Sequence, residues 1–178
     1  MNRVRLLSPV VGLVIAIAFT IGCQNTITDS GVSPPEVQSV QWVPTTQKAM
    51  IGLSKSVSRT LVAHVGGTLG GAQTDGNYVE IPGNALPENI HFTFDVYVDD
   101  KGALVFDIAG EGYENEHIYL ENDLQATIAV NKEWLAEEPE VVFNYDNFDE
   151  YFYNVTENAS HYLIPVDHFS RWSWGILE

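Results

Sequence analysis

Reactive side chains are thinly spread along this chain of 178 residues. In its closing stretch, VDHFSRWSWGILE, His168, Phe169 and Ser170 set an imidazole and a hydroxyl within one tripeptide. Cys23 is the only cysteine and follows the apolar run that opens the chain. Two clusters offer carboxylate oxygens of the kind calcium takes: Asp95, Asp99, Asp100 and Asp107 around an expected hairpin, and Asp146, Asn147, Asp149 and Glu150 in YDNFDEY. Neither has an EF-hand loop. Calcium needs roughly six to eight oxygens in a shaped cage, so solvated turns are the simpler account and a calcium site the alternative.

Other chemistries lack their usual frames. The five histidines, His64, His91, His117, His161 and His168, show neither H-E-x-x-H pairing nor close ligand spacing, so strand or surface positions are expected, with no metal and no other cofactor. The G-x-S-x-G elbow of a hydrolase is absent, and GGTLGG lacks both the lysine and the following helix of a phosphate loop. The second acidic cluster is also aromatic, with Tyr145, Phe148, Tyr151, Phe152 and Tyr153. A tyrosine row beside carboxylates suits a sugar or a protein loop, although strand alternation sends Tyr151 and Tyr153 to one face and Phe152 to the other.

The formal net charge is −16, from 24 acidic and 8 basic residues. Binding a phosphate backbone needs clustered Lys and Arg that release counterions. Beyond the first segment only Lys48, Lys55, Arg59, Lys101, Lys132 and Arg171 remain, which argues against a nucleic-acid partner. With 45% hydrophobic and 11% aromatic residues, the chain carries enough apolar material for one packed domain.

The opening MNRVRLLSPVVGLVIAIAFTIGC places Arg3 and Arg5 before an apolar run from Val10 to Ile21, a secretory signal pattern. The run falls short of the ~20 residues that a spanning helix needs. Its end, Thr20, Ile21, Gly22 and Cys23, resembles the lipobox of bacterial lipoproteins, with Thr20 where such motifs usually carry Leu. That resemblance implies cleavage after Gly22 and lipidation of Cys23, which also removes a lone thiol from an oxidising compartment. Gln24 in place of an acidic residue implies sorting to the outer membrane if the host has two membranes. Removing residues 1–22 takes away two basic and no acidic residues, which leaves a mature net charge of −18.

Residues 23–46, rich in Ser, Thr, Pro and Gln, read as an acylated N-terminus and tether, with Val40, Trp42 and Val43 the only hints of a strand. Residues 47–178 read as an all-β domain. Apolar residues alternate at period two in SRTLVAHV, YVEIP, IHFTFDVYV and, later, Leu124, Ala126, Ile128 and Val130. Asp99, Asp100, Lys101 and Gly102 predict a tight turn between Ile90–Val98 and ALVFDIAG. Asn131 to Glu138 predicts a short helix capped by Asn131 and stopped by Pro139. Tyr145–Val155 and His161–Trp174 supply the last strands. Strands at this spacing predict an antiparallel β-sandwich, with a barrel as the alternative.

The stretch HVGGTLGGAQTDGNYVEIPGNALPENIHFTFDV resembles the opening of the ZU-five domain, the β module of zonula-occludens scaffolds, netrin receptors and ankyrins. Gly66, Gly67, Thr68 and Leu69, then Ile81 and Pro82, then Ala85, Leu86 and Pro87 carry it, and His168, Phe169 and Ser170 close it. The resemblance brackets about Ser58 to Trp174, with a poor match from Glu111 to Val155. It implies a β-sandwich that acts as a binding or structural module. In the family's self-cutting members the serine hydroxyl attacks the preceding carbonyl. Carried onto this chain, Ser170 is the nucleophile, Phe169 the acyl donor and His168 the base.

The expectation is therefore a non-catalytic, lipid-anchored cell-envelope protein. Its partners would be the membrane, through acyl chains on Cys23, and an envelope protein or glycan. Self-cleavage between Phe169 and Ser170 is one alternative, and calcium or glycan binding another.

Overall fold

The computed structural model describes residues 40–50, 54–113, 117–146, 150–152 and 154–177. The expectations for Gly22, Cys23 and the tether up to residue 39 lie outside these. The described residues form fourteen strands and one short helix. In order they are β1 (Val40–Trp42), α1 (Gln47–Met50), β2 (Ser54–Leu61), β3 (Gly67–Gly70), β4 (Tyr78–Ile81), β5 (Ile90–Val98), β6 (Leu104–Gly110), β7 (Ile118–Tyr119) and β8 (Ala126–Asn131). The rest are β9 (Val141–Asn144), β10 (Tyr151–Phe152), β11 (Thr156–Glu157), β12 (His161–Val166), β13 (His168–Phe169) and β14 (Arg171–Leu177).

The fold is all-β and antiparallel, as the period-two pattern predicts. One sheet runs β10-β9-β14-β6-β5-β2, with β1 added to the end of β14, and a second runs β11-β12-β8-β4-β3. A third, of two strands, joins β13 to β7. β5 shows why these residues make strands. Ile90, Phe92, Phe94 and Val96 are buried, while His91 between them is exposed and Thr93 and Asp95 are half-buried. Phe94 meets Phe106 edge to face at 5.4 Å, and Phe106 meets Trp174 at 6.0 Å. From the second sheet Leu69, Val79, Ile81, Ile128, Val130, Ile164 and Val166 enter the same core. Each such side chain contributes about 1.5–3 kcal/mol when fully buried.

The β5–β6 turn forms where Asp99 to Gly102 predicts it. The Asp99 carboxylate accepts from the backbone N–H of Lys101 at 2.9 Å and of Ala103 at 2.7 Å, and Gly102 takes a positive φ of 87°. Gly66, the first glycine of GGTLGG, sits at φ 69°, and a Cβ there would overlap the carbonyl of Ile81. That close approach requires glycine.

Four expectations change. The helix expected from Asn131 to Glu138 shrinks to a single 3-10 turn, Lys132–Trp134. Asn131 does cap it, accepting from Glu133 N–H at 3.0 Å, but Trp134 and Leu135 are buried, and Leu135 has already returned to extended backbone. The first expected strand shifts earlier, to β2, because Val62 to Gly66 form a turn. Tyr145–Val155 is not one strand: the Asn144 side chain accepts from Asp146 N–H at 3.0 Å and starts a turn between β9 and β10. Val40–Trp42, inside the stretch read as tether, pairs with β14 as β1.

Candidate functional site

The tripeptide His168-Phe169-Ser170 lies where the chain passes from the two-stranded sheet to the large one. β13 pairs with β7, so His168 stands opposite Tyr119 and Phe169 opposite Ile118. Alternation then divides the tripeptide. Phe169 turns into the core and meets Phe92 edge to face at 5.4 Å. His168 points the other way, yet it is only 1% exposed, because a second set of aromatic rings covers it.

Those four rings come from β7 and the residue before it, from β14 and from β10. His117, two residues before Tyr119, shares its face, and its ring centroid lies 5.0 Å from that of His168, with Tyr119 at 5.2 Å. Trp172 of β14 lies at 5.0 Å and Phe152 of β10 at 6.1 Å. The β9–β10 turn delivers a carboxylate to the same place. Asn144 N–H donates to the carbonyl of Glu150 at 3.0 Å, and Asn144 is also the ladder partner of Trp172. Glu150 thus stands beside the strand that follows His168.

Both ring nitrogens of His168 face carboxylates. Nδ1 lies 2.8 Å from Oδ1 of Asp167 in hydrogen-bond geometry. Nε2 lies 3.2 Å from Oε2 of Glu150, an ion-pair distance, but without the alignment of a hydrogen bond, and it has no hydrogen-bond partner among the described residues. His117, Glu150 and His168 each bring one ligand atom, and the three atoms lie within 4.8 Å of one another. No rule of sequence spacing links these residues, so they were not expected to meet. The signal lies in the β7–β13 register, which only the fold creates.

Ser170, the expected nucleophile, is served by other groups. Its hydroxyl lies 3.4 Å from Nδ2 of Asn144, and its carbonyl accepts from Ile108 N–H at 3.3 Å. Asn144 Nδ2 also reaches Glu150 Oε2 at 3.4 Å, so the amide stands between serine and carboxylate. The structure therefore brings His168, Phe169 and Ser170 together as sequence neighbours, while His168 directs neither nitrogen at the Ser170 hydroxyl.

Several members of the two acidic clusters are drawn into protein contacts. Asp99 Oδ2 accepts from the Tyr145 hydroxyl at 2.6 Å, which with burial pushes the phenol up to about 12. Asp95 and Asp107 are direct ladder partners. Burial pushes the Asp107 carboxyl above the usual range; the Arg171 guanidinium, 3.9 Å away, opposes this, and Asp95 and Asp146 add to it. Arg171 also pairs with Asp146 at 2.7 Å. Of the aromatic row, Phe152 packs on Trp172 at 5.2 Å, and Tyr145 lies 5.8 Å from Trp42. Asn147, Phe148, Asp149, Tyr153 and the Tyr151 side chain lie outside what is described.

The remaining histidines sit apart from this centre. His91 Nδ1 lies 2.9 Å from the Thr60 hydroxyl, His161 Nε2 lies 2.8 Å from the Gly76 carbonyl, and His64 is exposed in the turn after β2. A surface cleft of about 300 Å³ adjoins the centre, lined by Tyr119, Leu120, Asp123, Leu124, Gln125 and Asp167. No family model, curated protein or solved structure matches the chain.

Proposed function

We propose that this chain is a lipid-anchored protein of a bacterial cell envelope whose ZU-five-like β-sandwich binds a partner rather than catalysing a reaction. The observation that carries the reading is the position of Cys23. The only cysteine stands one residue after the apolar run, and among the described residues the first strand opens at Val40. Residues 24–39 between them allow a reach on the order of 50 Å when fully extended, which suits a domain held clear of a bilayer. Two or three acyl chains on Cys23 give the stable anchoring that a single chain does not, at ~0.8 kcal/mol per buried methylene.

The binding reading is supported at the tripeptide as well. Self-cleavage needs a base on the Ser170 hydroxyl, and His168 instead addresses Asp167 and Glu150. Expression of the full chain in a diderm bacterium with an alkyne-tagged palmitate tests the anchor. Wild type should take up label and sediment with membranes, and Cys23→Ala should lose both label and sedimentation. An unlabelled wild-type chain, or a Cys23→Ala chain still embedded, would end the proposal.

A further inference from the structure

We propose that His117, Glu150 and His168 form a binding site for a divalent transition-metal ion of the zinc class. The buried nitrogen of His168 is the centre of the case. Nε2 is shielded from water, has no hydrogen-bond partner among the described residues, and faces Oε2 of Glu150 at 3.2 Å. Two groups that are not aligned as donor and acceptor are thereby held at the separation that two ligands of one ion adopt. Zinc bonds of about 2.0–2.1 Å to nitrogen and oxygen in tetrahedral array put ligand atoms ~3.3 Å apart. His117 supplies the third atom, with all three inside 4.8 Å, and its exposed ring has only to swing inward by an ångström or so.

The surroundings are those of a metal-ligating histidine. Asp167 accepts from Nδ1–H at 2.8 Å, which fixes the tautomer with the lone pair on Nε2 and makes the ring a better ligand. Trp172, Phe152 and Tyr119 wall the ring on its other sides and limit water at the ion. Glu150 and Asp167 bring two negative charges to a site with two imidazoles, on a chain whose net charge is already −16. Two imidazole nitrogens and one carboxylate oxygen select zinc, cobalt, nickel or copper over calcium or magnesium, which take oxygen shells. Three protein ligands leave a fourth position open on the exposed His117 side, for water or for a donor from a bound partner.

The ion would fasten three segments far apart in the sequence: the one before β7, the one before β10, and β13 itself. The test uses the full-length chain without a histidine tag, freed of metal by chelation and titrated with Zn(II) alone, with calorimetry and thermal denaturation as readouts. Co(II) in place of zinc reports the ligand set through its visible absorption, which is intense only for low-coordinate sites. The expected result is one equivalent bound, a raised Tm, and an intense cobalt spectrum. His117→Ala, an exposed change that leaves the fold intact, and Glu150→Gln should each abolish the stoichiometric binding, while His64→Ala should leave it unchanged. No saturable zinc binding by wild type, or one equivalent still bound by both His117→Ala and Glu150→Gln, would overturn the proposal.

Discussion

Asp167 and His168 are sequence neighbours whose side chains also bond to each other, the carboxylate accepting from Nδ1–H at 2.8 Å. Because Asp167 is largely exposed and His168 is buried, the bond reaches from solvent into the aromatic enclosure. Asp167 is a positioning residue in the metal proposal: it touches no ligand atom other than through the ring. Asp167→Asn should weaken zinc binding about 10- to 100-fold while one equivalent still binds at saturation. The metal-free Tm should hardly move, since the asparagine carbonyl can still accept from Nδ1–H and only the charge is lost. Calorimetry and thermal denaturation of the same samples separate the two effects.

Asp95 and Asp107 face each other across the β5–β6 ladder, a like-charge pair that costs roughly 0.2–1 kcal/mol. Asp107 holds its proton to higher pH in the folded state than in the unfolded chain, so its contribution favours folding below the unfolded value of 3.8 and is lost as pH rises through the folded value. At neutral pH the carboxylate is therefore a burden. Asp95→Asn should raise Tm at pH 7, and the gain should fade on acidification as Asp107, whose carboxyl is raised chiefly by burial and further by Asp95, takes up its proton. A gain that grows on acidification would contradict this account.

Trp174 is 1% exposed, packs on Phe106, and buries an indole N–H that has no hydrogen-bond partner among the described residues. Truncation to Ala opens a cavity and should cost about 3–5 kcal/mol. Trp174→Phe keeps much of the apolar volume and removes the unpaired donor, so it should cost under about 1.5 kcal/mol. Urea denaturation of both variants measures the contrast, and equal losses would show that the orphan N–H carries no penalty.

Ser170 accepts from the amide of Asn144, and no base among the described residues is directed at it. The purified chain should keep a single intact mass through prolonged incubation at neutral pH, the same for wild type and Ser170→Ala. A second species beginning at Ser170 in wild type alone would reinstate self-cleavage and show that His168 reorients in solution.

Much of the scaffold is legible from local pattern. The alternation of Ile90, Phe92, Phe94 and Val96 and the Asp99–Gly102 turn carry their own geometry, because a strand's faces and a two-residue bend depend on neighbours along the chain. Segment boundaries are less so: Tyr145 to Val155 alternates well enough to pass for one strand, and only the Asn144 side chain, folding onto Asp146, marks the break. Asn131 was a sound cap for a helix that tertiary burial of Trp134 and Leu135 then cut short. The centre around His168 was least accessible. His117 and Glu150 fall between Glu111 and Val155, where no motif stands out, and their approach to His168 depends on a two-residue pairing of β13 with β7 and on the bond from Asn144 N–H to the Glu150 carbonyl. Ligand spacing along a chain says nothing about contacts made across strands.

The place of β1 has a mechanical consequence. Its three residues pair with the far end of β14, Val40 with Leu177, Gln41 with Ile176 and Trp42 with Gly175, on the side where β6 has already parted from that strand. The approach is so close that a Cβ on Gly175 would lie 2.5 Å from the Val40 side chain. A pull applied at Val40 would meet these few rungs first, with the bond from Val43 N–H to the Trp174 carbonyl behind them. β1 is thus the domain's fuse: it can tear away under load and expose the edge of β14 while the aromatic core behind it stays whole.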